Sequence, residues 1–352
     1  MSSLVLFNHL VFAAAILGVS IVLVVAVMTA IFFRHFANSD DLVSTSAQLT
    51  PSLRTGGVAI VGAFLAAILL IHLLGDFTPI KDHHFWGFLA SLSLISATCL
   101  YSTFKPLDER IKFFGQMASA AIVMSAGVVI DEIHLPWLGW VVGGWWVYPM
   151  TLFWILGLTN VYNRMDGVDG LAASSAVVAS AFLIFISFHQ ESVFVYLCSV
   201  ALFAASVGFL AFNWPPAKIF MGEIGSTFLG FSFAVMAIIA ALYDRSHTSL
   251  FVVPLLLLHF IFDAAFAIFV PLSGKMPGPQ RPHLYNLLAG LGYPHRRVIL
   301  TYVGMGVAQG FGAIWMVNIQ GDSRVWVFVP FLLIQFGYAY WLVSAVNRRK
   351  LL

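Results

Sequence analysis

Charge is what this sequence has least of. Asp, Glu, Lys and Arg together make up 9% of its 352 residues, against roughly 25% in an ordinary soluble domain. With 61% of the chain hydrophobic, 17 basic and 15 acidic side chains are too few to clothe a core in water. A soluble globular enzyme and a disordered chain are both excluded. Cysteine is almost missing too. Cys99 and Cys198 each sit inside an apolar run, which excludes a disulfide scaffold and a thiolate metal site and leaves two small core residues. The net charge is only +2, so no basic field of the size a nucleic acid needs is present and no nucleic-acid partner is expected.

What the chain has in abundance is long apolar runs. A bilayer span takes about 20 mostly apolar residues. Eleven runs qualify: 10–33, 56–74, 85–104, 113–130, 147–159, 168–188, 193–212, 226–243, 249–270, 298–317 and 325–346. The fifth is the shortest, and the Gly- and Trp-rich stretch before it, with Trp137, Trp140, Trp145 and Trp146, suits the headgroup layer. The runs are continuous, so they read as helices and not as the short alternating strands of a barrel. The first run is too long, and lacks the basic leader, for a cleaved signal peptide. The expected fold is all-α: a polytopic membrane protein of about 11 transmembrane helices, one integral domain over residues 1–352, without internal repeats.

Basic residues set the orientation. Of 17 Lys and Arg, 14 fall after odd-numbered spans or at the C-terminus, and only Lys81, Arg245 and Arg324 fall on the other side. The C-terminus is therefore expected in the cytoplasm and the N-terminus outside.

Four polar clusters share the basic side. The first runs Asn160-Val-Tyr-Asn163-Arg164-Met-Asp166-Gly167-Val-Asp169-Gly170-Leu171. Two amides and two carboxylates between glycines suit a metal-phosphate or nucleoside; the plain alternative is a polar turn capped by Asp169. The second runs from Asn213 through Pro215-Pro216-Ala217-Lys218-Ile-Phe220-Met-Gly222-Glu223 to Gly225-Ser226. A helix start after a Gly-rich turn is a ready phosphate site, Glu223 can hold a hard cation, and Phe220 can stack on a base. Its alternative is a loop with Ser226 as N-cap. The third, Gly278 to Asn286 with Arg281, His283 and Tyr285, then His295, Arg296 and Arg297, suits an anion grip or a positive-inside anchor. The fourth, 40–57, ends Arg54-Thr-Gly56-Gly57 and is weak alone. Asp263, inside the ninth span, is a carboxylate at membrane depth; a hydrogen-bond partner such as His259 is the bland reading.

These motifs resemble the polyprenyl-phosphate N-acetylhexosamine-1-phosphate transferases, over most of the chain. Asn160–Leu171 is similar to N-x-x-N-x-x-D-G-x-D-G-L, Pro215–Ser226 to P-P-A-K-I-F-M-G-D-x-G-S, and Arg281–Tyr285 to R-x-H-L-Y. The pattern is similar to that of the eleven-span enzymes that initiate O-antigen and related envelope glycans at the bacterial inner membrane. The resemblance implies transfer of a sugar-1-phosphate from a UDP-N-acetylamino sugar to polyprenyl phosphate, usually undecaprenyl phosphate, releasing UMP. It implies Mg2+, with Mn2+ as the alternative ion, and a homodimer as a candidate assembly. It also implies roles: Asp166, Asp169, Arg281 and His283 catalytic; Asn160, Asn163, Lys218 and Phe220 on the nucleotide-sugar; Glu223 and Asp166 on the metal. A catalytically degenerate member that binds nucleotide-sugar or lipid phosphate without turnover is the second reading. A transporter is the third, and it lacks the paired broken helices and repeats that class shows.

The departures from the family pattern are specific. Aligned through Pro106-Leu107 and Lys112 to Gln116, the family's acidic pair is Ser102-Thr103 here. The metal Asp is Glu223, and other expected Arg and His positions hold Thr45, Gln48 and Gln280. A phosphate monoester is largely dianionic at neutral pH, so the acceptor needs no general base. The lost pair would then bear on metal placement. Asp40, Asp41, Asp108 and Glu109 lie on the right side to supply a replacement carboxylate.

Overall fold

A bundle of apolar helices must satisfy every backbone group internally, and each of the eleven expected spans contains helix. The computed structural model describes residues 17, 19–21, 23–25, 27–30, 55–74, 80–135, 139–243, 249–269, 283–319 and 322–349. In chain order the helices are α1 (Gly57–Leu74), α2 (Asp82–Phe104), α3 (Glu109–Ser125), α4 (Val147–Arg164), α5 (Leu171–His189), α6 (Val193–Asn213) and α7 (Gly222–Tyr243). They continue as α8 (Val252–Leu256), α9 (Leu258–Phe269), α10 (Leu284–Gly290), α11 (His295–Asn318) and α12 (Phe328–Arg348). Part of an earlier apolar helix, Val19–Ala30, is also described, and its Val24 packs against Gly208 of α6. Among the described residues, six helices are long and apolar enough to cross a membrane. The chain is an all-α polytopic membrane protein.

Three spans differ from expectation in ways that bear on the site. The fifth continues past 159 to Arg164, so Asn160 and Asn163 stand on the last turns of α4 and not in a loop. The eighth begins at Gly222, which places Glu223 in the first turn of α7 and Ser226 inside the helix. Ser226 is therefore no N-cap. The ninth is split between α8 and α9, after a 3-10 turn at Ser249–Phe251. Pro254, in the first turn of α8, has no N–H to give an ordinary helix ladder. One small departure from all-helix structure lies at the other end of the bundle. Strands β1 (Glu132–Leu135) and β2 (Gly139–Val142) pair antiparallel, with Glu132 opposite Val142. Gly139 takes the left-handed φ of +70° that the start of β2 requires.

Helix α7 is the axis of the bundle. Its residues from Ile224 to Ala240 are all buried, and α4, α2 and α1 pack around it. Helices α5 and α6 form a long antiparallel pair beside it. Phe64, Phe88, Phe228, Phe231 and Phe233 fill this interior and are fully buried. Both cysteines are free and buried, as expected of core residues. Because the helices alternate in direction, the described parts of the polar clusters converge at one end of the bundle.

Candidate functional site

The last turns of α4 carry the amides that tie this basic end together. Asn160 Nδ2 donates to Gln116 Oε1 on α3 at 2.8 Å and to the Leu156 carbonyl at 2.8 Å. Asn163 Oδ1 accepts from Ser226 Oγ on α7 at 2.8 Å. Two side chains one helical turn apart thus fix α4 to two neighbours.

Beyond α4 the chain turns tightly over residues 165–170. Gly170, not Asp169, is the N-cap of α5; it adopts φ +78° and has no side chain to cap with. Its N–H instead donates to Asn213 Oδ1 at 2.9 Å, while Asn213 Nδ2 donates to the Ile219 carbonyl at 3.0 Å. One buried amide therefore clamps the first polar cluster to the second. Asp166 is partly buried. Burial pushes its carboxyl well above the usual carboxylate range, and the neighbouring Asp169 charge adds to the effect. A raised carboxyl is one whose ionised form the fold disfavours. Its contribution to stability is present at low pH and is lost as pH rises through the folded-state value. Asp166→Asn is accordingly expected to keep or raise the thermal midpoint at neutral pH, with the gain vanishing below the ordinary carboxylate range. A fall of several degrees in a melting experiment would refute this.

The entry to α7 is fixed by backbone. Gly56 N–H donates to the Phe220 carbonyl at 3.1 Å and Gly57 N–H to the Met221 carbonyl at 2.9 Å. Gly57 lies so close that a Cβ there would fall on the backbone of Gly225. Gly57→Ala is expected to cost about 1–3 kcal/mol, as overpacking does, and to move Glu223 with the helix start. A melting curve unchanged from the parent would count against that close approach. Phe220 is half-buried and Lys218 is exposed. Arg296 donates to the Pro215 carbonyl through Nε at 3.3 Å and Nη2 at 3.2 Å.

Glu223 opens into a cleft of about 520 Å3 lined by Glu109, Arg110, Lys112, Gln116, Asn160, Asn163 and Glu223, with Phe113 and Phe114 at its rim. Lys112 Nζ lies 3.0 Å from Glu223 Oε2 and 2.9 Å from Glu109 Oε1. Ser102 Oγ lies 3.4 Å from the same Glu223 oxygen, and donates to the Cys99 carbonyl at 2.8 Å. Thr103 is bonded to that carbonyl too, at 3.0 Å. Of the carboxylates considered as replacements for the acidic pair, Asp108 is committed elsewhere: it caps α3 by accepting from Arg110 N–H at 3.0 Å. Glu109 shares a cation with Glu223. Asp40 and Asp41 lie outside the described residues, as do Thr45, Gln48, Gln280 and Arg281.

The third cluster is held from inside the membrane. Asp263 is fully buried in α9. Its Oδ1 lies 3.0 Å from His283 Nδ1 and accepts from Leu284 N–H at 2.9 Å; its Oδ2 accepts from Tyr285 N–H at 3.3 Å and from the Tyr302 hydroxyl. The carboxylate thus caps α10 from another helix. His259 is not its hydrogen-bond partner: that ring lies 2.6 Å from Gln309 Oε1 and 3.5 Å from Ser175 Oγ. His283 stacks on Tyr285, with ring centroids 5.3 Å apart. Tyr285 donates to the Arg164 carbonyl at 3.3 Å, which sets α10 against the turn carrying Asp166. Burial, then the charge of Asp263, pushes the Tyr285 hydroxyl up to about 12.

The structure therefore gathers Asn160, Asn163 and Glu223 around one cleft, and sets His283 at the N-cap of α10, stacked on the Tyr285 that reaches the Arg164 carbonyl. Asp166, Asp169, Lys218, Phe220 and His283 are not among the residues lining the cleft. Arg110, Lys112 and Gln116 line it without having been assigned a role. The signal for them was present, since Lys112 and Gln116 are the alignment anchors after Ser102-Thr103.

Comparison with known proteins gives the family. Residues 85–241 match the model of glycosyl transferase family 4. A probable undecaprenyl-phosphate N-acetylglucosaminyl 1-phosphate transferase of Bacillus subtilis (strain 168) is 33% identical over 236 residues, covering 65% of this chain and 64% of the relative. The chain therefore spans just under two thirds of that relative's length. A decaprenyl-phosphate N-acetylglucosaminephosphotransferase of Mycobacterium leprae is 30% identical over 296 residues, 76% of this chain and 73% of the relative. A phospho-N-acetylmuramoyl-pentapeptide-transferase of Levilactobacillus brevis is 27% identical over 275 residues, 72% and 82% of the two chains.

Proposed function

The chain belongs to glycosyl transferase family 4, and from that premise we propose that it transfers a sugar-1-phosphate from a UDP-N-acetylamino sugar to undecaprenyl phosphate. The reaction would take place at the cytoplasmic face of a bacterial inner membrane, as the first step of an envelope glycan such as O-antigen. The observation that carries this reading is the cleft at the basic end. It presents Lys112 and Arg110, the amides of Gln116, Asn160 and Asn163, and the carboxylate of Glu223 in one cavity. Its rim residues Phe113 and Phe114 are exposed, as suits a mouth that opens toward lipid.

In this reading an oxygen of the lipid phosphate attacks the β-phosphorus of the nucleotide-sugar. The bond between the α–β bridging oxygen and that phosphorus breaks, and UMP leaves with the electron pair. Two anions must meet, so the site must neutralise charge and hold both in line. Lys112 and Arg110 supply fixed cations. Asn160 and Asn163, already locked by Gln116 and Ser226, present a rigid polar wall to the nucleotide half. Phe220 offers a ring for the uracil, Lys218 a solvent-side cation, and Arg281, Asp169 and His283 the remaining phosphate-side groups.

The donor set suits a hard cation. Glu109 and Glu223 both lie within 3.0 Å of one ammonium, that of Lys112, which marks where their oxygens converge. Among the described residues no three His, Cys, Asp or Glu side chains come together. Mg2+ is commonly held by one or two carboxylates plus substrate phosphates and water. The motifs propose Glu223 and Asp166 to hold Mg2+, or Mn2+, whose chemistry when bound would be neutralisation of the diphosphate; Glu223 lines the cleft and Asp166 stands outside its lining.

A specific observation favours the second reading, a member that binds without turnover. Ser102 and Thr103 bond to their own helix, and Glu223 is already paired. The test is transfer in membranes supplied with undecaprenyl phosphate, Mg2+ and labelled UDP-GlcNAc or UDP-GalNAc derivatives. Labelled lipid that disappears in Asp166→Asn and Glu223→Ala is the expected result. Saturable nucleotide binding with no labelled lipid from any sugar in the panel would establish the second reading.

A further inference from the structure

A second cavity lies on the outside of the same end, where α10, α11 and α12 meet. It measures about 420 Å3 and is lined by Leu288, Tyr293, Arg297, Leu300, Tyr338 and Trp341, with Thr301 completing its wall. Its construction differs from that of the catalytic cleft: no carboxylate lines it, and its floor is apolar and aromatic. Leu300 is 59% exposed and Trp341 46% exposed, on two helices long and apolar enough to span a bilayer. The cavity therefore faces lipid and not the bundle interior.

The cation among its lining residues is Arg297. The adjacent Arg296 is turned inward to the Pro215 carbonyl. Arg297 is exposed, and its guanidinium lies 5.9 Å above the Tyr293 ring. No carboxylate pairs with it among the described residues. Arg349 ties the end of α12 to the Leu291 carbonyl at 2.8 Å, and Arg348 is exposed beside it. Arg297 and Thr301 lie about one helical turn apart, roughly 6 Å along the axis. The cavity thus sets a guanidinium beside an aromatic ring at one end of a wall that includes Leu300 and Trp341. A charge beside an apolar wall matches a phosphate headgroup with its acyl chains.

We propose that this groove is a binding site for one anionic glycerophospholipid, with its phosphate on Arg297 and its chains along Leu300 and Trp341. The excess of positive charge at the rim selects an anionic over a zwitterionic headgroup. Occupancy has a route to the catalytic end. Leu288 belongs to α10, whose first turn is capped by Asp263. Tyr338, which lines the cavity, has a buried hydroxyl with no hydrogen-bond partner among the described residues. A lipid in the groove would touch α10, at whose N-cap His283 stands.

The test uses the full-length protein, purified in mild detergent and placed in nanodiscs of phosphatidylcholine with or without phosphatidylglycerol. Retained phospholipid is read by native mass spectrometry. The parent is expected to retain about one phosphatidylglycerol in preference to phosphatidylcholine. Arg297→Ala, at an exposed position, is expected to weaken retention about tenfold. Leu300→Trp, which fills the groove without touching the charge, is expected to weaken both lipids. Equal retention of the two lipids by the parent, or unchanged retention in both variants, would overturn the proposal. Displacement of phosphatidylglycerol by stoichiometric undecaprenyl phosphate would overturn it too, by assigning the groove to the acceptor lipid.

Discussion

Lys112→Ala is expected to lower kcat/KM for sugar-phosphate transfer by about 10^2–10^3-fold, the scale of losing one preorganised charge donor at a reacting centre. The reason is electrostatic. Lys112 Nζ lies 2.9 Å from Glu109 and 3.0 Å from Glu223, and its side chain is largely buried. Without it, the cleft proposed to accept a diphosphate holds two carboxylates, and among the described residues Glu223 keeps Ser102 Oγ at 3.4 Å. Two controls separate charge from folding. Lys112→Arg should retain much more activity than the alanine variant, since it keeps the cation. Lys112→Met combined with Glu223→Gln should melt near the parent, since both partners become neutral together, while transfer stays absent. Undiminished transfer by Lys112→Ala would show that the cleft is not the diphosphate site.

The second large effect is expected at Asp263. Asp263→Asn is nearly isosteric, yet it exchanges an acceptor oxygen for an NH2 group. Whichever way the amide points, a donor meets a donor: Leu284 N–H and His283 on one side, Tyr285 N–H and the Tyr302 hydroxyl on the other. Removing one partner from a buried charged network costs roughly 3–5 kcal/mol, so a fall of several degrees in the thermal midpoint is expected, together with loss of transfer. Tyr302→Phe removes one of the four bonds to this carboxylate and should cost about 1.5–3 kcal/mol, with most activity retained. If Asp263→Asn melts and turns over like the parent, the cap on α10 is not what holds His283 in place.

The spans were legible because apolar length needs no context: twenty residues either fit a bilayer or do not. Their ends were not. The fifth span was read as ending at 159 because Asn160, Asn163 and Arg164 look like loop residues, yet Gln116 and Ser226 satisfy the two amides and the helix runs on. The motifs pointed to Asn160, Asn163 and Glu223, and the cleft contains all three. They did not point to Arg110 and Lys112, since a cation beside a membrane span reads first as a topology signal. Asp263 was visible as a carboxylate out of place, but its partners sit 20 and 39 residues downstream, beyond the reach of helical spacing. Asp169 illustrates the opposite error: an N-cap residue by type, displaced from that role by a glycine whose N–H finds Asn213.

Helix α7 has one further consequence, concerning bilayer thickness. From Ile224 to Ala240 its residues are buried by other helices, so this helix meets almost no lipid. A membrane that thickens or thins acts on helices such as α12, which is largely lipid-facing, by tilting them. The depth of Glu223 is set by protein packing alone. The carboxylate should therefore keep its position relative to Lys112 and Asn163 in bilayers of different hydrocarbon thickness, while the acceptor's phosphate rises and falls with the headgroup plane. Any dependence of turnover on acyl-chain length would then report how the lipid reaches the site, and not how the site is built.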